Sequence, residues 1–77
     1  AREIGGGYDI ICANIVADII IGMAPMFYEK LVPGGTLIAS GILAERAEEV
    51  GAALMRAGFR LDERAASGGW AAFRASR

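Results

Sequence analysis

Tyr8-Asp9-Ile10-Ile11-Cys12-Ala13-Asn14-Ile15 is a nearly continuous apolar run with one side-chain amide close to its end. A run of this length without polar alternation predicts a strand buried on both faces, the kind found in parallel sheets covered by helices. Such sheets keep their chemistry in the crevice beyond the carboxyl ends of the strands, and Asn14 falls at such an end. An amide there accepts a hydrogen bond through its oxygen and donates through its nitrogen, so it can orient a neutral amine without taking its proton. The alternative is structural, because Asn is also a favoured N-cap and a helical pattern follows directly.

Downstream, Ile15, Ile19, Met23, Met26, Phe27 and Leu31 recur at helical spacing up to Val32. Pro25 lacks the donor needed inside a helix but fits the first turn of a new one, which predicts two short helices meeting near residues 23–25. The Met and Phe stripe reads as core packing. Val32-Pro33-Gly34-Gly35 stops the helix, and Thr36 to Ala39 forms a second apolar strand. A helical crossover makes the two strands parallel, so Ser40-Gly41-Ile42 reaches the same rim as Asn14. Ser40 either touches a ligand there or caps the next helix.

Residues 43–57 carry apolar side chains at Leu43, Ala47, Val50 and Leu54, with acids early and Arg56 late, an amphipathic surface helix aligned with its dipole. Gly58 fits the left-handed residue after it, and Phe59 the apolar side chain folded over the last turn. Residues 60–66 and 70–75 read as two strands of an antiparallel hairpin joined through Ser67-Gly68-Gly69, with Trp70 as a packing anchor. At the other end, Gly5-Gly6-Gly7 precedes a strand instead of following one, so it reads as a flexible lead-in and not as a phosphate-cradling loop.

Composition narrows the chemistry. The 77 residues are 55% hydrophobic, apolar for so short a chain unless some surface is covered by another segment or another protein. A net charge of -1 without a basic stripe gives no footprint for nucleic acid. With no histidine and one cysteine, Cys12, the sequence excludes a zinc site, a Cys-His pair and a Ser-His-Asp triad built from these residues alone. Cys12 reads as a small buried hydrophobe and fits a reducing compartment. Asp18, Gly22 and Pro25 break the longest apolar stretch, so no membrane span is expected, and a cytoplasmic location follows by default.

Tyr-Asp-Ile-Ile-Cys-Ala-Asn-Ile-Val-Ala-Asp from residue 8, Leu-Val-Pro-Gly-Gly-Thr-Leu-Ile-Ala-Ser-Gly-Ile-Leu from residue 31, and Ala-Gly-Phe-Arg from residue 57 with a Trp in the closing hairpin together resemble a known family. They are similar to the C-terminal portion of the bacterial methyltransferases that act on the eleventh large-subunit ribosomal protein. Ala13-Asn14-Ile15 and Ser40-Gly41-Ile42-Leu43 are the most specific parts, whereas the Pro-Gly-Gly turn is common to class I S-adenosylmethionine-dependent methyltransferases.

The resemblance implies an α/β fold, the C-terminal half of a Rossmann-like class I sheet: two parallel strands with crossover helices, then an antiparallel hairpin. Residues 1–77 are then expected to be the C-terminal portion of a catalytic domain, with its N-terminal half and a substrate-recognition domain outside this sequence. It further implies methylation of protein amino groups with S-adenosyl-L-methionine, on a ribosomal protein substrate, without direct contact to nucleic acid or membrane. Asn14 is the residue that maps onto the family's fourth-strand motif, where it would contact the cofactor near its methyl and orient the substrate amine. Ala13, Ile15, Ser40 and Gly41 would form the pocket rim, with no metal. The glycine-rich turn and acidic residue that hold the rest of the cofactor have no counterpart in these residues, so the 77 residues alone are expected to be inactive.

Two other readings use the same pattern. As a non-catalytic interaction module, the chain would leave residues 8–14 as an exposed edge strand and form a homodimer through it. As the second half of a nicotinamide-dependent dehydrogenase it would share the topology, but not Ala-Asn-Ile and Ser-Gly-Ile-Leu at the strand ends.

Overall fold

The apolar run forms strand β1, Tyr8–Asn14, in a computed structural model that describes residues 7–77. Helix α1, Ala17–Lys30, then leads into β2, Leu31–Leu43. A 3-10 turn at Ala44–Arg46 opens α2, Ala47–Ala57, and the chain closes with the hairpin β3, Arg60–Ser67, and β4, Trp70–Ser76. Of the glycine lead-in, Gly5 and Gly6 lie outside the described residues.

The four strands make one sheet in the order β1-β2-β4-β3, with β1 and β2 parallel and β4 antiparallel to both of its neighbours. The fold class expected from the sequence is therefore present, and β4 lies inside the sheet, leaving β3 at the edge. That edge carries Arg60, Asp62, Glu63 and Arg64, charges that discourage further strand pairing.

Both helices lie side by side against one face of the sheet, and every large buried side chain points into the layer between. Ile11 and Ala13 of β1, Leu37, Ala39 and Ile42 of β2, and Ala71, Phe73 and Ala75 of β4 meet Ile20, Ala24 and Phe27 of α1 and Val50 and Leu54 of α2 there. Because side chains alternate across a strand, the other face carries Ile10, Cys12, Ile38 and Arg74. Among the described residues no helix covers that face, and Ile10 is 60% exposed. This corrects two expectations: β1 is buried on one face, and Cys12 is exposed. The unbroken apolar run hid an alternation, since Ile10 and Cys12 are as apolar as the residues that are buried.

The expected break near Pro25 also needs correction, because α1 is a single helix with Pro25 inside it. Ala17, Ile20, Ala24 and Phe27 form its buried stripe, continuous on both sides of the proline, while Pro25 itself is exposed. Core packing along that stripe outweighs the one backbone hydrogen bond that proline removes. Ile19 and Met26, assigned to the core by spacing, lie on the exposed side.

Val32-Pro33-Gly34-Gly35 does not separate helix from strand. The helix stops at Lys30, and these residues loop out of the β1–β2 pairing, which jumps from Tyr8↔Leu31 to Ile10↔Thr36. Arg77 holds the loop: its backbone exchanges hydrogen bonds with Gly34 and Gly35, and its guanidinium donates to the Leu31 carbonyl while lying 4.7 Å over the Tyr28 ring. At the far end of α2, Gly58 takes a φ of 114° and Phe59 donates its N–H to the Leu54 carbonyl, the expected helix stop.

Candidate active site

The carboxyl ends of β1 and β2 lie side by side, and the last pair of their parallel register is Asn14↔Ser40. Neither residue caps a helix. The N-cap of α1 is Val16, whose carbonyl accepts the N–H groups of Ile19 and Ile20 at 3.1 Å, and no side chain caps that end. Ser40 lies within β2, which runs on to Leu43, the N-cap of the following 3-10 turn, again without a side-chain cap. The structural alternatives for both residues therefore fail, and the Asn14 amide stands exposed at the rim.

A bulge shapes the rim beside it. Between Ala39↔Phe73 and Ile42↔Ala71, β2 advances three residues while β4 advances two, so Ser40 and Gly41 together oppose Ala72. Gly41 takes a φ of +76°, the left-handed conformation that glycine adopts without strain. The Asn14 side chain packs directly on it, and a Cβ at Gly41 would lie 2.1 Å from Asn14 Oδ1.

Two crevices flank this contact. One, of about 180 Å³, is lined by Val16, Ala17, Asp18, Gly41, Leu43, Arg46 and Trp70. The other, of about 200 Å³, lies among Ser40, Gly41, Ala65, Ala66, Ser67 and Trp70 and their neighbours. Gly41 and Trp70 belong to both. Trp70 is 53% exposed and pairs across the sheet with Leu43, so the rim presents an aromatic-aliphatic pair beside the amide.

Arg46 spans the first crevice from the side. Its Nη2 donates to Asp18 Oδ1 at 2.6 Å and its Nε to Glu49 Oε1 at 2.7 Å, joining the first turn of α1 to the start of α2. The hydrogen bonds to Glu49 and then Asp18 raise the Arg46 guanidinium further above its usual value, and the bond from Arg46 lowers the Glu49 carboxyl. Both shifts hold the Arg46–Glu49 pair in its charged form at neutral pH, so it is a fixed electrostatic frame and not a proton donor.

Of the rim expected from the sequence, the structure brings Asn14, Ser40 and Gly41 together. Ala13 is buried on the helix-covered face, and Ile15 is half-buried in the link to α1. Val16, Leu43 and Trp70 were not expected at the rim. For Trp70 the signal lay in the direction of the hairpin: β4 runs antiparallel to β2, so its first residue must lie where β2 ends.

A family model described as ribosomal protein L11 methyltransferase (PrmA) matches residues 2–77. The chain is 46% identical over 69 residues to the ribosomal protein L11 methyltransferase of Heliobacterium modesticaldum, covering 90% of this chain and 22% of that protein. It is 50% identical over 62 residues to that of Carboxydothermus hydrogenoformans, covering 80% of this chain and 20% of the other. The chain thus spans about a fifth of the length of these curated relatives. The crystal structure of ribosomal protein L11 methylase from Lactobacillus delbrueckii subsp. bulgaricus superposes with a TM-score of 0.90 at 31% identity, over 97% of this chain and 39% of that one. A methyltransferase from Pyrococcus furiosus gives a TM-score of 0.70 at 15% identity, over 92% and 41%, a likeness of fold.

Proposed function

Because this chain belongs to the ribosomal protein L11 methyltransferase family, we propose that it forms the C-terminal part of a catalytic domain that methylates protein amino groups, with S-adenosyl-L-methionine as donor and a ribosomal protein as substrate. One observation carries the reading: Asn14 ends a parallel strand with its amide exposed over Gly41, and among the described residues it caps no helix. The two apolar crevices meet at Gly41, on which the Asn14 side chain packs, so a cofactor portion seated there would lie beside the Asn14 amide. That cofactor, when bound, supplies a methyl on a positively charged sulfur, already activated for displacement by an amine.

This chain's residues then supply placement. The Asn14 oxygen accepts an N–H of a neutral amine and so aims its lone pair, which an amide does without becoming a base. Alignment of this kind contributes several kcal/mol to a bimolecular step. Trp70, Leu43 and Val16 hold the alkyl stem of the amine and exclude water from the crevice. In the intact enzyme Trp70→Ala is expected to raise KM for the protein substrate about five- to thirty-fold, the equivalent of about 1–2 kcal/mol of apolar contact, with kcat changed less. Steady-state kinetics that show an unchanged KM would remove Trp70 from the substrate path.

We further propose that residues 1–77 by themselves do not bind the cofactor measurably. Asn14 and Ser40 are the polar side chains that the paired strand ends offer it, too few to orient a molecule of that size. Calorimetry with S-adenosylmethionine on the 77-residue chain is expected to show no heat of binding; a micromolar Kd would overturn this.

A further inference from the structure

We propose that Gly41 is a positioning residue for methyl transfer: the space left by its missing Cβ is the seat of the Asn14 amide. The inference rests on the role given to Asn14 above. A Cβ at residue 41 would lie 2.1 Å from Asn14 Oδ1 and 3.3 Å from Asn14 Cγ, far inside contact distance for the oxygen. The backbone of Asn14 cannot retreat, because its register with Ser40 is the end of a ladder that runs back through Ala13↔Ala39 and Cys12↔Ile38. The β2 bulge fixes the other partner, since it turns Gly41 out of the β4 pairing and into its φ of +76°. Any side chain at 41 therefore swings the amide off its seat on Gly41, and the oxygen meant for the amine moves with it.

The test is a double-variant comparison in the intact enzyme, with Gly41→Ala, Asn14→Ala and the pair combined, reading kcat, both KM values and Tm. Gly41→Ala is expected to lower kcat about as far as Asn14→Ala does, roughly a hundredfold, with smaller changes in either KM. In the Asn14→Ala background the same Gly41→Ala change is expected to cost no further rate, because the amide it displaces is gone. A rate loss of equal factor in both backgrounds would mean that Gly41 acts through backbone strain alone, and would overturn the proposal. If Gly41→Ala does not fold, the strain of an L residue at a φ of +76° and not the seat of the amide governs this position, which overturns the proposal. Full activity of Gly41→Ala beside an inactive Asn14→Ala ends this inference and leaves the role of Asn14 standing. Full activity of Asn14→Ala ends both.

Discussion

Asn14→Ala in the intact enzyme is expected to cut kcat by about 10²- to 10³-fold while leaving thermal stability nearly unchanged. In the role proposed for Asn14, the rate loss follows from removing a preorganised hydrogen-bonding group beside the substrate amine, a change worth about two to three decades in other enzymes. The stability side follows from the structure. The amide is exposed, and α1 has Val16 as its N-cap with no side-chain cap hydrogen bond, so no cap is lost. A surface change of that kind lies within about 0.5 kcal/mol, whereas loss of an N-cap costs about 1 kcal/mol. Kinetics and a melting curve on the same preparation separate the two. A variant with near wild-type turnover and a clearly lower Tm would return Asn14 to a structural role.

Phe73→Ala is expected to have the largest effect on stability. Phe73 is 3% exposed at the centre of the helix-covered face, on β4 and paired with Ala39 of β2. Its ring sits where a Cβ on Gly51 of α2 would touch it at 3.4 Å, so it fills the contact between α2 and the sheet. Truncating a buried Phe costs about 3–5 kcal/mol. That is a large share of the roughly 5–15 kcal/mol that holds a whole domain folded. Ile38→Ala, on the open face and already 38% exposed, is expected to cost less than about 1.5 kcal/mol. Urea unfolding of both variants reads the difference. Equal costs would contradict a core that lies on one side of the sheet.

Much of this architecture was legible because local signals agreed with one another. Leu43 to Ala57 aside from its first turn, the Gly58-Phe59 stop and the Gly68-Gly69 hairpin all follow from short-range patterns, and each appears where the pattern puts it. The departures share a cause, which is that long-range packing chose among options the local sequence left open. Pro25 stays inside α1 because the Ala17-Ile20-Ala24-Phe27 stripe packs on both sides of it. Ile10 and Cys12 are exposed because both helices lie on the opposite face, which no residue of β1 announces. Leu43 extends β2 because it pairs with Trp70, twenty-seven residues away in sequence.

The candidate site was legible in outline and not in mechanism of assembly. Asn14 and Ser40 share a rim because a helical crossover makes their strands parallel, a consequence of chain order. That Gly41 carries a positive φ inside a bulge, and lies under the Asn14 amide, cannot be read from a glycine in a strand-end sequence. Trp70 was taken for a packing anchor because aromatic side chains usually are, yet the start of β4 places it at the mouth of both crevices.

The most direct test is a crystal structure of the intact enzyme with an unreactive cofactor analogue and an amine-bearing segment of its protein substrate. The account predicts the amine nitrogen within hydrogen-bond distance, about 3 Å, of the Asn14 amide oxygen, with that amide still resting on Gly41. An amine bound away from the ends of β1 and β2, with Asn14 turned to solvent, would contradict it.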